Sequence, residues 1–180
     1  PFKDLAWGLA SRGIAVLRYD KRTKVYPSQV PEDIGLEEEV ISDALAALAT
    51  VKDRPEVDAN RVFLLGHSLG GILVPSIAVR DGGLAGVILL AATARPFFDV
   101  LTGQLQYIAS LESDPDSPAS RRLDSLLALV EGVRQGDVPD DQRVLGAPPP
   151  YWRELAAVDP LASAREVSAS MLILQGGRDY

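Results

Sequence analysis

The chain opens with apolar residues spaced for one helical face. Phe2, Leu5, Ala6, Leu9 and Ala10 recur at three- and four-residue steps. Pro1 suits a first turn, so the spacing predicts a helix over residues 1–12, closed by Gly13. The rhythm then changes. Ile14-Ala15-Val16-Leu17 is a continuous apolar run leading into Arg18-Tyr19-Asp20, which predicts a strand buried on both faces. Residues 21–35 carry two prolines and read as loop. From Leu36 to about Val51 the helical period returns, with Leu36, Val40, Ile41, Ala44, Leu45, Leu48 and Val51 facing inward. Glu37, Glu38 and Glu39 lie in its first turn, where carboxylates favour the positive end of the helix dipole. They read as a solvated helix start rather than a metal site.

Val62-Phe63-Leu64-Leu65 predicts a second buried strand, followed by an apolar helix over 69–80. Gly86 to Ala91 and Met171 to Leu174 predict two more strands. Alternating helices and strands imply an α/β fold, a parallel sheet flanked by helices. Between 96 and 170 the pattern breaks. Prolines at 115, 118, 139, 148, 149, 150 and 160 interrupt short helical patterns such as 121–133. A stretch this long is not expected to be structureless inside a compact domain. Tyr151, Trp152 and the leucines at 126, 127 and 129 argue against a disordered linker. The expected organisation is core over 1–95, a helical cap insertion over 96–170 sitting over the sheet's edge, and a core strand with its loop over 171–180.

Composition narrows the chemistry. The 180 residues are 47% hydrophobic and 24% charged, enough for one sizeable core without a metal or disulfide staple. A net charge of −7 argues against a nucleic-acid partner; the one basic run, Lys21-Arg22-Thr23-Lys24, reads as a solvated loop. With no cysteine and one histidine, thiol nucleophiles and Cys or His metal clusters are excluded, so no metal and no cofactor is expected. The cysteine count leaves the compartment open. The apolar stretch from Leu84 to Ala94 is too short to span a bilayer. No secretory signal pattern opens the chain, but it opens on Pro1 rather than Met, so its natural beginning is expected to lie upstream.

Gly66-His67-Ser68-Leu69-Gly70 matches G-x-S-x-G. Given the glycine and serine content, such a match arises by accident somewhere in about 9% of chains like this one, so context must carry it. The match follows a predicted strand and opens a predicted helix, as a nucleophile elbow requires. There a tight turn lifts the serine Oγ above the carboxyl edge of the sheet, with Gly66 and Gly70 admitting the close approach of strand and helix. The helix N-terminus and the backbone N–H of Leu69 would then face a developing oxyanion. The plainer alternative is a serine N-cap on an ordinary helix of a nucleotide-binding or other α/β domain.

A serine hydroxyl needs a base and an orienting carboxylate. On such a fold they follow in the order serine, acid, histidine. Asp179, just past the strand ending at Leu174, is the expected acid. Asp159 is its rival, but aspartate before Pro160 more often marks a turn or the start of a helix. The sole histidine, His67, adjoins Ser68; side chains on a tight turn diverge, so it is expected to pack beneath the turn. A base histidine would follow Asp179.

The opening from Pro1-Phe2-Lys3-Asp4-Leu5-Ala6 to Tyr19-Asp20-Lys21-Arg22-Thr23, the run Gly66-His67-Ser68-Leu69-Gly70-Gly71, and Leu172-Ile173-Leu174-Gln175-Gly176-Gly177-Arg178-Asp179-Tyr180 resemble the α/β-hydrolase superfamily. Within it they are similar to bacterial carboxylesterases allied to dienelactone hydrolases and prolyl-oligopeptidase-like peptidases. The likeness covers residues 1–95 and 170–180; the 96–170 insertion corresponds in position to the cap of such enzymes. It implies a serine esterase acting through an acyl-enzyme on a small-molecule ester, with Ser68 as nucleophile and Asp179 as triad acid. It also implies that the second oxyanion donor lies upstream and the triad histidine downstream, so this stretch alone would have no useful turnover. A peptidase or thioesterase of the same fold, or a non-catalytic binding domain, are the alternatives.

Overall fold

The computed structural model describes residues 2–139 and 141–177. Helix α1 (Phe2–Ala10) forms as its spacing predicts, and Gly13 closes it at φ +78°. The face it offers is largely uncovered: Ala6 is buried, but Phe2, Leu5 and Trp7 are exposed. The apolar run after it is the first correction. Residues 14–20 form no strand, and Ile14, Val16, Leu17 and Tyr19 are 40–50% exposed. A strand exists only through its ladder, and no described strand pairs with this segment.

The predicted loop holds a short helix, α2 (Arg22–Val25), and a 3₁₀ turn at Pro27–Gln29. The basic run is exposed or half-buried, and it is also paired. Arg22 forks onto the Asp43 carboxylate, with Nε at 3.0 Å and Nη2 at 2.5 Å. Lys21 Nζ lies 3.2 Å and Thr23 Oγ1 2.8 Å from the Glu39 carboxylate. The helix predicted from Leu36 begins with a π-helical turn, Glu37–Ile41, and continues as α3 (Ser42–Lys52). Leu36, Ala44 and Leu48 are buried, as their spacing requires.

The acidic triplet starts the helix with its residues exposed or half-buried, and each carboxylate has a partner. Glu37 takes a 2.7 Å bond from Arg80, Glu38 accepts from the Gly35 N–H, and Glu39 holds Lys21 and Thr23. The hydrogen bond from Arg80, opposed by burial, is the main force holding the Glu37 carboxyl below its ordinary value of 4.5. A depressed carboxyl stabilises the fold above its unfolded pKa and loses that contribution as pH falls through the folded one. Arg80→Gln should therefore make stability fall less steeply below pH 4.5, read as denaturant midpoints from pH 3 to 7; an unchanged acid limb would refute the pairing.

Three strands follow. β1 (Phe63–His67), β2 (Gly86–Leu90) and β3 (Ser170–Leu174) form a parallel sheet in the order β1-β2-β3. Leu65 pairs with Ile88 and Ile88 with Leu172, and the carboxyl ends His67, Leu90 and Leu174 are level. Only β2 is central and mostly buried; the edge strand β3 leaves Leu172, Ile173 and Leu174 at least half exposed. Between β1 and β2 runs α4 (Leu69–Asp81), buried nearly all round. Val74 and Ala78 meet Val87 and Leu89 on the sheet. Leu73 and Ile77, on its other side, join the larger cluster with Leu36 and Leu48. A helix apolar on every side belongs between two layers, and α4 lies between the sheet and the helices.

Residues 96–170 are helical: α5 (Phe97–Ser110), α6 (Pro118–Gln135), α7 (Pro149–Ala156) and α8 (Pro160–Glu166). Three of the prolines start helices instead of interrupting them, since a first-turn position needs no N–H. Ser117 and Asp159 cap α6 and α8 through their side chains. Phe98, Val130, Val133, Trp152 and Leu155 share one core with residues of α3 and α4, so these helices are packed onto the rest of the chain. Among the described residues, no helix is long and apolar enough to cross a membrane.

Candidate active site

Ser68 stands where β1 becomes α4, and its backbone is unusual. Its φ of 54° and ψ of −120° lie in a region that side chains other than glycine's avoid, at a cost of roughly 1–3 kcal/mol. An N-cap serine instead adopts an extended backbone and accepts a hydrogen bond from the turn it starts, as Ser117 does here. Ser68 makes no such side-chain bond. The plain capping role therefore fails on both counts. The strained turn is held by Ser68 N–H donating to Leu90 O at 2.9 Å and by Ile72 N–H donating to Ser68 O at 3.0 Å. Ser68 itself is exposed.

The strain gives a clean comparison between two variants that both lack the hydroxyl. Ser68→Gly relieves φ and Ser68→Ala does not. The glycine variant should be the more stable by about 1 kcal/mol, after its greater unfolded-state freedom is deducted. Equal denaturant midpoints would mean the turn is unstrained.

Close packing at this turn demands glycine at two places. A Cβ on Gly66 would strike the Gly70 carbonyl and come within 2.6 Å of Val74 Cγ2. A Cβ on Gly71 would come within 2.7 Å of Ala92 Cβ, on the segment leaving β2. At Gly70 it would meet nothing within 4 Å among the described residues. The second position at this turn with no room for a side chain is Gly71. The doubled glycine in the sequence was its signal, but only the position of Ala92 chooses between the two.

The N–H of Leu69, first residue of α4, is among the amides a helix cannot satisfy internally. Leu69's side chain packs against the cluster that contains Phe98 and Trp152. On β1, Gly66 faces α4, so alternation turns His67 to the opposite face. His67 is exposed there and meets the Phe2 ring edge-on at 5.6 Å. It does not pack beneath the turn as expected, and no described hydrogen bond joins it to Ser68.

Because the strand ends are level, Gln175 to Gly177 leave the same sheet edge as Ser68. The two exits are two strands apart, about 10 Å. Asp179 lies outside the described residues. Its rival Asp159 is occupied: Oδ1 accepts from the N–H groups of Leu161 at 3.0 Å and Ala162 at 2.9 Å, capping α8. Among the described residues, no group of three or more His, Cys, Asp or Glu side chains gathers to hold a metal.

A parallel sheet flanked by helices, with a buried helix following the first strand, makes this chain part of an α/β-hydrolase fold. The family described as serine aminopeptidase, S33, matches residues 1–135, and the chain belongs to that family. It is also 42% identical over 179 residues to a protein of Thermotoga maritima named Esterase EstD. That alignment takes in 99% of this chain and 41% of the relative, so the chain spans about two-fifths of the length of the curated relative it matches.

Proposed function

We propose that the full-length protein hydrolyses carboxylic esters of small molecules through an acyl-enzyme on Ser68. One observation carries this reading: a non-glycine residue held at φ 54° where strand meets helix, with its hydroxyl left out of helix capping. The esterase name borne by the Thermotoga maritima relative supports an ester rather than an amide as the bond cleaved.

In the proposed reaction Ser68 Oγ attacks the ester carbonyl while a histidine from outside these 180 residues takes its proton. The Leu69 N–H and the start of α4 stabilise the oxyanion; a second donor comes from outside the chain. The histidine returns the proton to the departing alcohol, and water repeats the sequence to free the acid. Asp179 orients that histidine. Residues 96–170 act as a cap whose Phe98 and Trp152 belong to the core cluster against which Leu69 packs.

A peptidase is the second reading, favoured by the family's own description. Chromogenic esters, aminoacyl amides and acyl-CoA, assayed side by side with the full-length protein, separate the cases. Turnover of the esters alone is expected. Faster cleavage of aminoacyl amides would overturn the ester assignment while leaving Ser68 in its role.

A further inference from the structure

The segment 143–154 reaches back across the chain to 32–39 at several points. Glu154 Oε2, on α7, accepts from the Leu36 N–H at 2.7 Å and the Glu37 N–H at 3.2 Å. It thereby caps, from 118 positions away, the helical segment that starts at Leu36. Gly35 is buried, and a Cβ there would run into the Glu154 carboxylate. The glycine leaves room for that carboxylate. One turn along α7, burial and then the nearby Glu39 carboxylate push the pKa of the Tyr151 hydroxyl above its ordinary value. Arg143 Nη2 donates to Glu32 O at 2.9 Å.

What α7 carries connects this contact to the elbow. Trp152 lies 6.0 Å from Phe97 and 6.2 Å from Phe98, ring centre to ring centre. Those two residues begin α5, directly after the segment leaving β2 that presses on Gly71. Leu69 packs against the same cluster. A shift of α7 therefore disturbs the cluster against which Leu69, the neighbour of Ser68, packs.

We infer that Glu154, seated on Gly35 and assisted by Tyr151, clasps α7 to the start of the 36–52 helix and so sets the space for the acyl chain above Ser68. These are positioning residues; none touches the reacting atoms. The inference rests on the esterase reading for its effect on substrates, but the clasp itself is testable without turnover.

The test uses the full-length protein and the variants Glu154→Ala, Glu154→Gln, Tyr151→Phe, Gly35→Ala and Gly35→Ala/Glu154→Ala. Hydrogen exchange at the Leu36 and Glu37 amides should quicken about tenfold in Glu154→Ala, the scale of one partly exposed charge-assisted hydrogen bond. Glu154→Gln, which keeps an acceptor, should stay within about threefold of wild type. Gly35→Ala should act like Glu154→Ala and add nothing to it, since both remove one contact. The ratio of kcat/KM for p-nitrophenyl decanoate to that for p-nitrophenyl acetate should change at least about fivefold in Glu154→Ala, and in the same direction in Tyr151→Phe. Unchanged exchange, or additive effects of Gly35→Ala and Glu154→Ala, would overturn the clasp. A uniform loss on both esters would overturn its role in choosing the acyl chain. Failure of the esterase reading would show separately, as a wild-type protein that turns over neither ester while the exchange results stand.

Discussion

Replacing Ser68 by alanine in the full-length protein should lower kcat on a carboxylic ester by on the order of 10⁶, the scale seen when a triad nucleophile is removed. The effect should be confined to chemistry. The Ser68 side chain makes no capping bond and is exposed, so losing its oxygen leaves no buried polar group unsatisfied. Ser68→Ala should accordingly unfold within about 0.5 kcal/mol of wild type, as surface changes usually do. A loss of only tenfold would mean that Ser68 binds or orients the ester and that another group attacks it.

Gly66→Ala should have the opposite character. The added methyl would meet the Gly70 carbonyl, which is backbone, and Val74, a buried residue of a helix enclosed on both sides. Neither can step aside without moving α4 off β1. A cost of about 3 kcal/mol or more is expected, at the upper end for overpacking. In a domain with total stability of about 5–15 kcal/mol, that should appear as a large fall in the denaturant midpoint and in soluble yield. Gly70→Ala is the control: its methyl enters open space on the first turn of a helix, where alanine is favoured over glycine, so its midpoint should hold or rise slightly. Equal losses at the two positions would show that G-x-S-x-G is needed here for something other than the approach of strand to helix.

Sequence legibility followed the range of the forces involved. The 36–52 helix, the strand and helix on either side of Ser68, and the strands starting at 86 and 170 were readable because periodicity and glycine placement are local. The run 14–17 is continuously apolar, yet it forms no strand, because pairing depends on a neighbour that its own residues do not encode. The pairing of Lys21, Arg22, Glu37 and Glu39 was hidden for the same reason. Their partners lie on other elements, and charge alone does not reveal them. The prolines of 96–170 were recognised as helix breakers, while their use at first helical turns becomes plain only once Ser117 and Asp159 are seen capping.

At the candidate site, the turn that carries Ser68 and the close packing at Gly66 were legible, since a strand-to-helix turn writes itself into neighbouring residues. The tight fit at Gly71 was not, because it depends on Ala92 arriving from the next strand. His67 was misplaced for a simpler reason: alternation along β1 decides its face, and the strand runs on through Gly66 and His67 instead of stopping before them. The Glu154 contact leaves no local trace at all, since a glycine at 35 and a glutamate on a helix are unremarkable apart.

One experiment bears most directly on the attacking hydroxyl. The full-length protein is treated with a fluorophosphonate, digested, and the modified peptide sequenced by mass spectrometry. A single phosphonylated residue, Ser68, with labelling abolished in Ser68→Ala, is the expected result. A label on any other residue, or one that survives the substitution, would contradict it.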